Sequence, residues 1–368
     1  MYEPEDVTDR QRYLISSYAY SNEDKDSDWF RLAIRLNGRE FHLQVSLSEF
    51  HNSPSKTQQF QEYLACLRAG DEDDDEENSD KEMSESAVNI MDCFSWAVDP
   101  HLEQFESLAP PLADISTLTL QDFFHSASFE CELGAVNDRF VLGPIERREN
   151  ESEEMWPPGH DPEDDDPPEA SPWTTTFPSF RADQVRVLCD SRSDILNTSP
   201  TKVAVDGQTF YFKAVQPPGD KVGKREVQVY EQIVRAGFGS HVRTSRLYGV
   251  VLDENQQLMG LLLYPIAIDD TLEYALENPG TKKSSKKRWA KQIKATLGAL
   301  HEHGIVWGDA KPDNIVINVH GDAWIIDFGG GHTRGWVDKA KYETIQGDLQ
   351  GLENILEFIS TGRIVESP

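Results

Sequence analysis

Four polar residues late in the chain have the types and spacing for chemistry: Asp309, Lys311, Asn314 and Asp327. They lie in the stretch 305–331, IVWGDAKPDNIVINVHGDAWIIDFGGG. Two carboxylates and an amide brought together on rigid strands make an oxygen-rich site suited to magnesium. A lysine in the same cluster can neutralise a phosphoryl group in flight. The chemistry served by such a set is phosphoryl transfer.

The apolar runs between these residues must position them. Ile315-Val316-Ile317 and the run Ala323 to Ile326 flank the turn His320-Gly321-Asp322, a pattern that predicts an antiparallel hairpin. The hairpin would bring Asp309, Lys311 and Asn314 close to Asp327. Upstream, Lys286 to His303 reads as a helix with Trp289, Ile293, Leu297 and Leu300 on one face and Gly304 as its stop. Downstream, a helix starting near Asp348 has Leu349, Leu352, Leu356 and Ile359 as its expected core face. Farther back, residues 202–215 read as strand, Asp206-Gly207 turn and strand, the last strand carrying Lys213. A helix over 224–236 follows, with Val227, Tyr230 and Ile233 inward. Two strands, 247–252 and 258–263, then flank the turn DENQQ and lead into Tyr264-Pro265-Ile266.

The series Asp309-Ala-Lys311-Pro-Asp-Asn314 followed by Asp327-Phe-Gly resembles the catalytic loop and metal loop of the protein-kinase family, in a divergent, fungal-type form. The intervals of five and thirteen residues match that family. A hairpin whose polar loops match by chance is the competing reading. The lysine two places after Asp309 resembles the Ser/Thr protein-kinase pattern. The resemblance implies that Asp309 orients the acceptor hydroxyl, Lys311 steadies the transferring phosphoryl group, and Asn314 and Asp327 hold Mg2+. It further implies that Lys213 pairs with the phosphates of ATP and that Tyr264 and Ile266 form the hinge under the adenine. Arg225-Glu226-Val227 resembles the start of the family's third helix, so Glu226 is the expected partner of Lys213, with Glu231 as the alternative. Asp348 resembles the aspartate that ties down the catalytic-loop backbone. The fold implied is α+β: a two-lobed protein-kinase-like domain over 183–368, with a small lobe to 265 and a shortened large lobe from 266. The function implied is transfer of the γ-phosphoryl group of Mg-ATP to a hydroxyl, nominally on Ser or Thr of a protein. A small-molecule acceptor is the first alternative; a scaffold, or a kinase fold with altered chemistry, is the second.

Four departures from the pattern stand beside it. No glycine-rich loop precedes Lys213; SDILNTSPTKVAV occupies that place. Tyr211 stands two before the lysine, where the family has a small residue. The family's His-Arg-Asp is Trp307-Gly308-Asp309, so position 308 offers no arginine to a phosphorylated activation segment, while Trp307 is expected to stack with Phe328 and Tyr230. Only 20 residues separate Asp327 from Asp348, and no Ala-Pro-Glu follows, which reduces the platform for a peptide acceptor.

Composition bounds the rest. With 38% apolar residues and no apolar run near the ~18 that span a bilayer, a membrane segment is not expected. The beginning of the chain is acidic and polar and does not read as a leader. Four scattered cysteines (Cys66, Cys93, Cys131, Cys189) form no metal or disulfide pattern, which points to a reducing intracellular compartment, cytoplasm or nucleus. The formal charge of −30 is concentrated in the runs 71–82 and 145–170, and it disfavours a nucleic-acid partner. Residues 151–182 have the composition of an acidic, proline-rich linker. Before it, 1–150 reads as an α+β module. Phe30 to Ser46 forms two alternating strands about Asn37-Gly38, and Phe60, Tyr63, Leu64 and Leu67 mark a helix face. Val88, Met91, Phe94 and Ala97 mark a second helix, 118–124 a short third, and Phe129 to Glu132 with Arg139 to Leu142 a further hairpin. His42, His51, His101 and His125 are scattered, and no catalytic constellation emerges there.

Overall fold

A computed structural model describes residues 12–21, 28–72, 89–112, 114–148, 174–189, 199–215, 221–331 and 336–362. Most of both acidic runs, and most of the SDILNTSP stretch before Lys202, lie outside these residues. Two compact units divide the chain: 1–167 with 186–200, and 168–185 with 201–368.

In the first unit, strands Leu14–Tyr20, Trp29–Leu36, Arg39–His51, Ser128–Val136 and Arg139–Leu142 form a sheet in that order. The Asn37-Gly38 turn has both residues at positive φ, the geometry of a two-residue hairpin, and sets Leu36 opposite Arg39. A hairpin forms about Asn137-Asp138, but Arg139 to Leu142 pairs with Leu133 to Val136 instead of the expected Phe129 to Glu132, because the two-residue turn fixes the register. Ser128–Val136 also runs parallel to Arg39–His51. Alternation puts Phe30, Leu32, Ile34 and Leu36 on one face. There they share a core with Phe60, Leu64 and Leu67 of helix Pro54–Glu72 and with Cys93, Phe94 and Ala97 of helix Ile90–Val98. Met91, expected on the inner face of that second helix, is 43% exposed. The helix has a capping box at Asn89 and Asp92, and the buried pair Cys93-Phe94 sets its phase.

The second unit has a sheet in the order Ser179–Arg181, Leu247–Leu252, Leu258–Leu263, Gln208–Ala214, Lys202–Val205. The strand Ser179–Arg181 precedes the expected start at 183 and pairs parallel with Val250 to Leu252. Helix Lys221–Ala236 packs Val227, Tyr230 and Ile233 inward. Its first turn begins earlier than the expected 224, because Gly223 is small enough to lie against Val215 and Leu258. The large lobe contains helix Lys283–Glu302, with Trp289, Ile293, Leu297 and Leu300 buried, and the hairpin Ile315–Asn318 with Ala323–Ile325. Helix Ile345–Thr361 differs in phase from the sequence reading. Leu349 is 51% exposed, while Asp348, Gly351, Leu352, Ile355, Phe358 and Ile359 face inward. The reason is local: the helix enters through Gly347 and Asp348, and Gly351 allows it to approach Ala310, which turns position 349 outward.

Candidate functional site

The first half of the site is a cation held between two acids. Lys213 projects from the middle of its sheet on the same face as Tyr211, while Phe210 and Phe212 alternate into the opposite, fully packed face. Its Nζ donates to Glu226 Oε2 at 2.8 Å and to Asp327 Oδ1 at 2.7 Å. Glu226 is 1% exposed. Burial pushes its carboxyl up from the ordinary range, and the Lys213 ammonium works against that shift. Burial would lower the Lys213 value, but Glu226 and Asp327 outweigh it, and the ammonium is held above its usual value. A buried acid that lost this partner would be an uncompensated charge.

The second half is the loop before the hairpin. Asn314, itself buried, donates from Nδ2 to Asp309 Oδ2 at 2.9 Å and to the Asp309 carbonyl at 3.0 Å. Lys311 Nζ lies 3.0 Å from the same Oδ2. Asp348 secures the approach to this loop: its 2% exposed carboxylate accepts from the amides of Trp307 and Gly308, each at 2.8 Å, and meets His301 Nε2 at 2.8 Å.

The two halves are tied together. Ile326 N donates to the Asn314 carbonyl at 3.0 Å. Fully buried Trp307 donates from Nε1 to the carbonyls of Ile326 (2.9 Å) and Asp327 (3.1 Å). Asp327 has φ 58°, left-handed backbone that costs a non-glycine residue of order 1 kcal/mol and is held by its surroundings. Phe328 packs edge-on to Tyr230 at 5.5 Å, and Trp307 belongs to the same core.

Residues 201–350 match the family description "Protein kinase domain". The mouse serine/threonine-protein kinase SBK2 is 27% identical over 89 residues, 24% of this chain and 24% of its own length. The carbon catabolite-derepressing protein kinase of Saccharomyces cerevisiae is 25% identical over 118 residues, 32% of this chain and 17% of its own. The protein kinase kin1 of Schizosaccharomyces pombe is 36% identical over 58 residues, 16% and 6% of the two chains. The second unit is of protein kinase-like superfamily type. The matched stretch thus spans about a quarter or less of these relatives' lengths.

Within this kinase domain the expected site residues fall as follows. Lys213, Glu226 and Asp327 meet directly, as do Asp309, Lys311 and Asn314. Glu231, the alternative partner for Lys213, instead accepts from Thr175 Oγ1, Thr176 N and Thr176 Oγ1 at 2.7–3.0 Å, turned away from the lysine. The Tyr264 ring packs edge-on against Phe210 (5.8 Å) and Tyr248 (5.7 Å), so it joins the aromatic group behind the Lys213 face. Ile266 lies in the link between Leu258–Leu263 and Ile268–Thr271. Tyr211 is 45% exposed and stands on the Lys213 face, two residues from the ammonium.

Sequence reasoning missed three contributors. His301 carried no motif, only its place in the last turn of a helix. The Trp307 motif position signals stacking, but nothing in the sequence signals its indole N–H bonds. Arg225 stands out in the sequence only as a motif neighbour of Glu226. Its Nη1 donates to the Phe328 carbonyl and, at 3.4 Å, to that of Trp307. Position 308 itself carries no arginine, and the guanidinium beside it comes from the neighbouring helix.

Asp327 and Asn314 carry side-chain oxygens of the hard kind that magnesium takes. Among the described residues no group of three His, Cys, Asp or Glu is arranged to hold a metal unaided. Magnesium sites of one or two protein ligands plus phosphate oxygens have this character. No helix among the described residues is long and apolar enough to cross a membrane.

Proposed function

We propose that the kinase domain moves the γ-phosphoryl group of Mg-ATP to a hydroxyl, nominally of Ser or Thr. The observation that carries this reading is the pair of preorganised clusters, Lys213–Glu226–Asp327 and Asp309–Lys311–Asn314, linked through the Ile326 amide and the Trp307 indole. In this reading Lys213 binds the α- and β-phosphates, and Glu226 fixes its direction. Asp327 and Asn314 would hold magnesium, which supplies charge neutralisation at the phosphates when bound. Asp309, fixed at Oδ2 by Asn314 and Lys311, accepts the hydroxyl proton at its carboxylate. Lys311 meets the charge that develops on the transferred group. The bond from the γ-phosphorus to its bridging oxygen breaks, the acceptor oxygen takes its place, and ADP leaves.

A small-molecule hydroxyl is the second acceptor class. The short segment between Asp327 and helix Ile345–Thr361 favours it, since its regular structure among the described residues is the single turn Lys339–Lys341. Calorimetric Mg-ATP binding and turnover on peptide and small hydroxyl acceptors test both readings. Asp309→Asn should cut turnover by about two orders of magnitude with little change in nucleotide affinity. Asp327→Asn and Lys213→Ala should lower binding and turnover together. Wild-type protein that binds no nucleotide with magnesium present would overturn the reading in favour of a scaffold. Binding without transfer to any peptide would favour the small acceptor.

A further inference from the structure

Gly308 and Arg225 explain one another. At φ 95° Gly308 occupies left-handed backbone, and a Cβ built there would overlap the Arg225 guanidinium. The space that a side chain at 308 would need is thus filled by an arginine delivered from helix Lys221–Ala236. The same guanidinium donates to the carbonyls of Trp307, two residues before Asp309, and Phe328, next to Asp327. On its outer side it faces a carboxylate, with Arg225 Nε 3.7 Å from Glu343 Oε2. Glu343 has φ 53°, a left-handed conformation for a residue with a side chain, and lies just before the Thr344 cap of helix Ile345–Thr361. A Cβ at Gly330 would run into this carboxylate, so Glu343 rests over the backbone that follows Asp327.

We propose that Arg225 is a positioning residue that clamps the catalytic loop to the Asp327 segment, with Glu343 as its fixed anion. The proposal rests on the phosphotransferase reading above. Its physical content is a forked donor with several acceptors on two segments, which a guanidinium satisfies and an ammonium does not. Because Arg225 and Glu226 are adjacent, one helix position sets both the Lys213 partner and the clamp. A side-chain carboxylate present in every copy takes the place that an added phosphate could fill, so the arrangement needs no modification to form.

The test uses the full chain with Arg225→Met, Arg225→Lys, Glu343→Gln and the Arg225→Met/Glu343→Gln pair. Three quantities are read: turnover, Mg-ATP affinity, and amide hydrogen exchange at 307–309 and 328–330. Arg225→Met should lower kcat about tenfold or more while Mg-ATP affinity changes less than about threefold. Exchange should rise in both segments. Arg225→Lys should recover part of the loss, and Glu343→Gln should shift the same quantities by less. The double variant should match Arg225→Met alone, because the two residues act as one unit. Phosphatase-treated wild type should keep its full rate. Unchanged kcat and exchange in Arg225→Met would overturn the proposal, as would independent, multiplying effects of the two substitutions or a rate that depends on phosphate. A fall in Mg-ATP affinity proportional to the fall in kcat would also overturn it, in favour of an effect carried through Glu226. If wild type binds no Mg-ATP, the phosphotransferase reading fails, and the exchange cycle alone decides the clamp.

Discussion

Replacing Asp348 by alanine isolates the energy that holds the loop before Asp309 in place. The carboxylate is 2% exposed and accepts from Trp307 N, Gly308 N and His301 Nε2, each at 2.8 Å. Removal strands two buried amide donors, each costing about 1–3 kcal/mol when no water replaces the acceptor. With the His301 contact added, the loop should lose about 3–5 kcal/mol. Amide exchange at Trp307 and Gly308 reads this directly, because about 1.4 kcal/mol is tenfold in an opening equilibrium. Exchange there should accelerate by about two to three and a half orders of magnitude, while the core strand Leu258–Leu263 changes far less. Asp348→Asn keeps one acceptor oxygen and should show about half the free-energy loss. A loss below about 1 kcal/mol in Asp348→Ala would mean that water or a rearranged loop satisfies both amides, and would refute the reasoning.

Two further outcomes follow from packing and charge. In Gly351→Ala, the added Cβ would lie 2.5 Å from the Ala310 carbonyl oxygen and 2.6 Å from its Cβ. Thermal or denaturant unfolding should show a loss of about 1–3 kcal/mol despite the better helix propensity of alanine. Lys213→Met removes the countercharge of Glu226, whose carboxyl burial already raises. A raised carboxyl favours the folded state when protonated, so its contribution is complete below the unfolded value and is lost as pH rises through the folded value. The unfolding midpoint of Lys213→Met should therefore fall more steeply than that of wild type as pH rises above the ordinary glutamate range.

The hairpins and the cluster at Asp309 were legible because their signals are local. Asn37-Gly38 and His320-Gly321-Asp322 bracket runs whose alternation or β-branching has one good solution, and Asp309, Lys311 and Asn314 lie within six residues of one another. Helix phase was less legible where a small residue decides the approach. Leu349 looks like a core residue by spacing, but Gly351 against Ala310 outweighs its hydrophobicity. The partners of Arg225 are 82 and 103 residues away, so no window of sequence places its guanidinium beside Gly308. Glu231 and Glu226 could not be separated by spacing alone. They are five apart on one helix, and the threonines that engage Glu231 come from a segment more than fifty residues upstream.

The strand Ser179–Arg181 has a practical consequence for anyone isolating the second unit. Between it and the rest of its unit, residues 186–200 belong to the other unit, so a single cut does not separate the two cleanly. A fragment trimmed to the family match at 201–350 would discard Ser179–Arg181 and the last turns of helix Ile345–Thr361. Strand Leu247–Leu252 would then become an open sheet edge: the Val250 amide would lose the Pro178 carbonyl it meets at 2.9 Å, and Gly249 would lose the Phe180 ring packed against it. An uncovered edge with the sequence LYGVVL recruits other strands. Insolubility of such a fragment would therefore report self-association of a bared edge, not an inability of the second unit to fold.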